Sequence, residues 1–322
     1  MSSQANGAMW FYDNHPQPAD FYAEVLHGLR RRPRYIPPKF FYDEAGSQLF
    51  DTICELPEYY PTRTEIQLLQ AHAGEIAELI GKHCLLIEPG SGSCHKVRLL
   101  LDALQPVAYL PMDISRVHLL RAAQRLVDEF PWLEVHATCI DFTAELELQF
   151  RLPDQHRVAF FPGSSVGNFE PGDAVLFLQR LAGMVGAGGG LLIGVDLKKD
   201  EAILNAAYND TRGITARFNL NLLSRINREL EGDFVPEDFR HHAFYNAGQG
   251  RIEMHLISQV DCRVSVAGES FSFRQGDGIH TENSYKYSPD EFIRLADRAG
   301  FRSVHVWCDP DGLFSLHYLI AV

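Results

Sequence analysis

The stretch Cys84-Leu85-Leu86-Ile87-Glu88-Pro89-Gly90-Ser91-Gly92-Ser93 decides how this chain is read. Its apolar start, closed by a glycine-rich turn, predicts a short buried strand from Cys84 to Ile87. Gly90 and Gly92 let the backbone approach a ligand closely and adopt dihedrals that other residues resist. The same texture continues outward. Downstream come a helix from about Lys96 to Leu104 and a strand Ala108 to Met112 ending at Asp113. Ser115 then reads as the N-cap of a helix to about Glu129. A strand Leu133 to Ala137 ends near Asp141, and Val158 to Phe161 is a fourth. A helix from Pro171 to about Val185 precedes a fifth strand, Leu191 to Val195. Upstream, Thr64 precedes a helical run from Glu65 to Ile80. Strands alternating with helices predict an α/β fold with a doubly wound, mostly parallel sheet.

The alternation stops after Asp196. Glu201 to Tyr208 and Thr215 to Leu230 have helical spacing, and Ile252 to Val260, Cys262 to Val266 and Phe271 to Phe273 read as antiparallel strands. Pro289 to Ala299 is again helical, followed by strands Arg302 to Trp307 and Leu313 to Ile320 that suit the closing end of the first sheet. Near the start, Asp20 to Arg32 is helical until Pro33, Pro37 and Pro38 break it. The expected organisation is a Rossmann-type domain, residues 63–197 and 286–322, with a smaller α+β second domain, residues 15–62 and 198–285.

With 322 residues and 46% of them hydrophobic, the chain is long enough to bury a core. A net charge of −13 argues against a nucleic-acid partner, which needs a basic face to neutralise phosphate. No run of about 18 apolar residues suggests a transmembrane helix, and the first residues lack the basic and apolar regions of a secretory signal. Six scattered cysteines without a C-x-x-C pair read as reduced, buried thiols of a cytoplasmic protein. A monomer without membrane or nucleic-acid partners is expected.

Ligands of doubly wound sheets bind beyond the carboxyl ends of the strands, at the switch point. Three successive strands end in or near an acid: Glu88, Asp113 and Asp141. Asp113 suits two ribose hydroxyls, and Asp141 suits an adenine amino group. The rival ligand is a nicotinamide dinucleotide, whose fingerprint G-x-G-x-x-G/A needs a small third residue for close helix packing. Here that position is His95. S-adenosylmethionine has no pyrophosphate and does not need that packing; Lys96 or nearby backbone can hold its carboxylate. The loop thus favours a methyltransferase cofactor site formed by Glu88, Gly90, Gly92, Lys96, Asp113 and Asp141.

With these residues in place, the chain from about Pro37 onward resembles the histidine Nα-methyltransferases of ergothioneine biosynthesis. The resemblance is carried by Phe41-Tyr42-Asp43 with Gly46-Ser47 and Leu49-Phe50-Asp51, by Leu56-Pro57-Glu58-Tyr59-Tyr60-Pro61-Thr62-Arg63, by Gly163-Ser164-Ser165-Val166-Gly167-Asn168, by Ala207-Tyr208-Asn209-Asp210 and by Glu282-Asn283-Ser284. It implies a small-molecule substrate, L-histidine, trimethylated to hercynine with S-adenosylmethionine as cofactor. It further implies that Asn168 and Tyr208 hold the substrate carboxylate and that Glu282 and Ser284 bind the imidazole. Tyr42 and Tyr59 would lie near the reacting amine, and Phe50, Gly163, Thr215 and Met254 would line the pocket. Pro89, Cys94 and His95 depart from the family's usual loop.

These residue types suit the chemistry. A free α-amine has a pKa of about 8, so part of it is already neutral, and desolvation raises that share. No strong dedicated base is expected; Tyr42 or a water relay is the proton route. Aromatic faces of Tyr42, Phe50 and Tyr59 can stabilise a methylated cation. Glu282 and Ser284, two apart on an extended strand, face one side. His241, His242 and His255 show no carboxylate or cysteine at a recognised ligand spacing, so no metal is expected. The competing readings are the same transfer to a tryptophan-like amine, a nicotinamide dehydrogenase, and a non-catalytic cofactor-binding regulator.

Overall fold

The computed structural model describes residues 8–14, 18–143 and 155–322; the expected domain start at residue 15 lies outside them. In chain order the elements begin with β1 (Met9–Asn14), α1 (Pro18–Arg30), β2 (Arg34–Tyr35), α2 (Glu44–Cys54) and α3 (Tyr60–Ile80). Then come β3 (Leu85–Pro89), α4 (Arg98–Leu104), β4 (Ala108–Asp113), α5 (Arg116–Glu129), β5 (Val135–Ile140) and β6 (Arg157–Phe161). They are followed by α6 (Pro171–Val185), β7 (Gly190–Asp196), α7 (Glu201–Tyr208), α8 (Ile214–Glu229), β8 (Phe239–Asn246) and β9 (Arg251–Ser258). The last are β10 (Cys262–Val266), β11 (Glu269–Phe273), β12 (Gly278–Tyr285), α9 (Pro289–Arg298), β13 (Phe301–Cys308) and β14 (Phe314–Ala321).

The chain divides into two compact units. The first contains β1, the described part of Pro61–Lys198, and Lys286–Val322. Its eight strands run in the order β1-β5-β4-β3-β6-β7-β14-β13. The neighbours from β1 to β7 are parallel, and β14 and β13 close the sheet antiparallel. Every residue of β3 and β7 is buried, as expected of strands covered on both faces. The order reverses between β3 and β6, so the carboxyl ends of these strands form the switch point. The Gly90–Gly92 loop follows one of them and Gly163 the other. This is the doubly wound α/β sheet expected from the alternation.

The second unit contains α1, the segment to Tyr60, and Lys199–Tyr285. A four-stranded sheet in the order β2-β12-β9-β8 packs against α8, and β10 and β11 form a separate hairpin. β9, β10 and β11 match the strands read from the sequence, whereas α2 and β8 were not read.

Boundaries also moved. α3 starts at Tyr60 rather than Glu65, because Pro61 is tolerated in a first turn. α4 starts at Arg98 rather than Lys96, since the turn persists through Val97. Ser115 occupies the N-cap position of α5, but its side chain makes no cap bond; Asp113 Oδ1 instead accepts the Ser115 N–H at 2.8 Å. β1 was not foreseen either; it extends the sheet beyond β5, and its Trp10 stacks on His136 at 4.6 Å. Among the described residues, the six cysteines include no disulfide; Cys84, Cys94 and Cys139 are buried but Cys308 is exposed. No described helix is long and apolar enough to cross a membrane.

Candidate active site

The loop after β3 is pinned from below. Gly90 has φ +68° and Gly92 φ +51°, the left-handed region that favours glycine. A Cβ on Gly90 would meet the Phe142 ring at 3.2 Å. The Gly92 N–H donates to Asp113 Oδ2 at 2.9 Å, so the carboxylate ending β4 braces the loop. Burial raises the Asp113 carboxyl above its ordinary pKa, although backbone N–H groups pull the other way. Asp141, buried after β5, accepts the Thr143 N–H at 2.9 Å.

Glu88 lies beneath the loop with its carboxyl sealed from solvent. The Tyr109 hydroxyl donates to it, yet burial dominates and pushes its pKa up to about 8. Burial likewise pushes the Cys94 thiol up to about 12, which makes it an unreactive filler of the loop.

Lys96 is engaged by a residue that the sequence reading passed over as merely the start of a helix. Glu65 of α3 is fully buried, takes the Lys96 ammonium at 2.5 Å, and accepts the Gly163 N–H at 2.9 Å. Gly194 of β7 leaves room for it, since a Cβ there would lie 2.0 Å from the Glu65 carboxylate. A buried charge needs such a partner, and a glutamate in an early helical turn was the only signal. Lys96 directs one of its three donors this way. Gly163 itself has φ +84°. Asn168 closes the 3₁₀ turn Ser165–Asn168 that follows.

In the second unit, four rings meet. Tyr42 touches Phe50 edge-on at 5.6 Å and Phe218 at 5.7 Å, and Phe50 touches Tyr59 at 6.3 Å. Phe218 of α8 is an addition to the expected wall; its position on the buried helical face was the available signal. Asp43 sets the geometry by capping α2 through the Gly46 N–H at 2.7 Å, which fixes where Phe50 emerges. Tyr59 also meets Tyr208 edge-on at 6.3 Å. Desolvation, with Tyr208 next to it, holds the Tyr59 phenol well above its ordinary pKa, so it remains a donor at neutral pH.

Glu282 and Ser284 are both buried on β12, opposite Met254 and Ile252 of β9. The Tyr208 hydroxyl donates to Ser284 Oγ at 2.8 Å. Thr215, also buried, is fixed at the start of α8 where its N–H donates to Asp210 Oδ1 at 2.8 Å.

The histidines divide. His241 and His242 are neighbours on β8 and face opposite ways; His241 turns inward onto Asn219 and the Tyr208 carbonyl. His242, His255 and His280 are cross-strand neighbours on β8, β9 and β12. Contrary to the sequence reading, a carboxylate does join them: Glu253, His255 and His280 each place one ligand atom within 4.8 Å of the others. Within this group Glu253 accepts from Arg251, Asn246 and His255, and His255 stacks on His280 at 4.6 Å.

Residues 21–321 match the family described as histidine-specific, S-adenosylmethionine-dependent methyltransferases. The histidine N-alpha-methyltransferase of Mycolicibacterium smegmatis is 40% identical over 92% of this chain and 95% of its own. The chain belongs to the histidine-specific methyltransferase family. Within reach of this family, ergothioneine biosynthesis protein 1 of Neurospora crassa is 36% identical over 85% of this chain and 32% of its own length. The 4-dimethylallyltryptophan N-methyltransferase of Aspergillus fumigatus is 29% identical over 89% of this chain and 90% of its own.

Proposed function

We propose that this methyltransferase transfers methyl groups to the α-amino nitrogen of L-histidine, three times in succession, giving hercynine for ergothioneine biosynthesis. The observation that carries the reading is the buried pair Glu282 and Ser284, with the Tyr208 hydroxyl on Ser284. A carboxylate and a hydroxyl are the partners that the two nitrogens of an imidazole require.

The first unit would hold S-adenosylmethionine. The glycine turn, the Asp113 carboxylate and the Lys96 ammonium fit a ribose and an amino-acid tail, with Asp141 for the adenine and Glu88 beneath the loop. When bound, the cofactor supplies an electrophilic methyl carbon on a sulfonium. The chain's own residues align the acceptor amine and exclude water, which is where most of the acceleration in such a displacement arises. Tyr42, Phe50 and Tyr59, joined by Phe218, present ring faces to the growing cation, while Thr215 and Met254 shape the remaining space of the second unit. Tyr208 would receive the substrate carboxylate. Reversing the Tyr208–Ser284 bond, so that Ser284 donates, releases the Tyr208 O–H for this task. Because Tyr59 stays protonated, the amine proton leaves by Tyr42 or a water relay.

A tryptophan-like amine is the second reading, favoured by the Aspergillus fumigatus relative. An indole offers one N–H, which would leave part of the Glu282–Ser284 pair unmatched. The same proposal makes the protein a cytoplasmic monomer acting on a free amino acid, and its net charge of −13 opposes binding to phosphate. The test is incubation with S-adenosylmethionine and a panel of amino acids, read by mass. Histidine should gain up to three methyl-sized steps, and Glu282→Ala should lower histidine kcat/KM roughly ten- to a hundredfold. Equal turnover of histidine by that variant would exclude the imidazole assignment.

A further inference from the structure

β12 carries one residue more than its partner strand. His280 stands opposite His255, but Glu282 stands opposite Met254, so two steps on β12 match one step on β9. Thr281 is the extra residue, a β-bulge. Side chains alternate along a strand, and a one-residue slip sends every later side chain to the other face. Counted without the bulge, Glu282 and Ser284 would share a face with His280, the side on which Asn283 opposes Glu253 and Tyr285 opposes Arg251. With the bulge they share a face with Met254 and Ile252, and Ser284 meets the Tyr208 hydroxyl.

The bulge is anchored by one fully buried side chain, Asn219 of α8. The Thr281 hydroxyl lies 2.8 Å from Asn219 Oδ1 and 3.1 Å from the Met254 carbonyl. Asn219 Nδ2 donates to the His255 carbonyl at 3.1 Å and to His241 Nδ1 at 2.9 Å. That acceptor role places the His241 proton on Nε2, which donates to the Tyr208 carbonyl at 2.9 Å. One amide therefore joins the bulge to the backbone of the residue whose hydroxyl holds Ser284.

We propose that Thr281 and Asn219 are specificity-determining positioning residues, which hold the bulge that turns Glu282 and Ser284 toward Tyr208. The proposal rests on the reading of Glu282 and Ser284 as the imidazole partners. Neither Thr281 nor Asn219 touches the substrate in it; they act through register.

The experiment compares Thr281→Val, which keeps shape and loses the hydroxyl, with Thr281→Ser, which keeps the hydroxyl, and with Glu282→Gln. Each is measured for KM and kcat with histidine, for turnover of tryptophan, and for S-adenosylhomocysteine Kd by calorimetry. Thr281→Val should raise histidine KM about tenfold or more, narrow the preference for histidine over tryptophan, and leave the S-adenosylhomocysteine Kd unchanged. Thr281→Ser should restore both. If Thr281→Val does not fold, Thr281→Ala is read in the same way. A folded hydroxyl-deletion variant with lowered Tm but unaltered histidine KM and preference would overturn the proposal, even if Glu282→Gln is impaired. Unimpaired histidine turnover by Glu282→Gln would instead overturn the imidazole reading beneath it.

Discussion

At Gly90, backbone conformation and close packing coincide. An L side chain in the left-handed region costs about 1–2 kcal/mol, and here its Cβ would also press on Phe142 at 3.2 Å. Gly90→Ala should therefore lower stability by about 1–2 kcal/mol and weaken S-adenosylhomocysteine binding. Denaturant titration and calorimetry check the two effects separately, and an unchanged Kd would remove Gly90 from the cofactor site. The glycine was legible from sequence because glycine spacing is local. The opposite holds for Glu65, whose carboxylate reaches Lys96 and Gly163 from a helix many residues upstream. A lone glutamate in a helical run signals nothing until the fold brings its partners near.

Among elements, the ones that were not read are those whose composition answers to neighbours. α2 contains Gly46 and Ser47, poor helix formers. Gly46 is required because a Cβ there would lie 1.7 Å from the Phe41 carbonyl oxygen. Gly46→Ala should shift α2 and, with it, Phe50, lowering Tm and raising histidine KM; a variant with native Tm and KM would show that the close approach relaxes freely. β8 reads Phe-Arg-His-His-Ala-Phe-Tyr-Asn, without the clean alternation that marks a half-buried strand. β12 was expected to be extended only around Glu282 and Ser284; from Thr281 onward its buried face is polar and the bulge interrupts its alternation. By contrast β3, β4 and β7 are covered on both sides, and their apolar runs were plain in the sequence.

For the whole molecule, two buried groups of opposite sign contribute opposite slopes to the pH profile of stability. Burial holds His317 down to about 4, so the unfolded chain takes up that proton first and stability falls as pH drops from 6.5 toward 4. Burial holds Glu88 up to about 8; the unfolded chain gives up its proton first, so this contribution falls as pH rises from 4.5 toward 8. Denaturant midpoints across pH should show His317→Phe flattening the acid side and Glu88→Gln flattening the neutral-to-alkaline side. Unaltered slopes in either variant would assign that loss to other groups. Across this same chain, the alternating strands and helices, the glycine turn with its acids, and the motifs that mark the family are legible along the sequence, because each is written in local periodicity or contiguous residues. Folding in three dimensions is what brings Glu65 to Lys96, sets Phe218 beside Tyr42 and Phe50, and lets the Thr281 bulge turn Glu282 and Ser284 to the buried face. Those outcomes depend on strand register and on packing between residues distant in the chain, which no local pattern encodes.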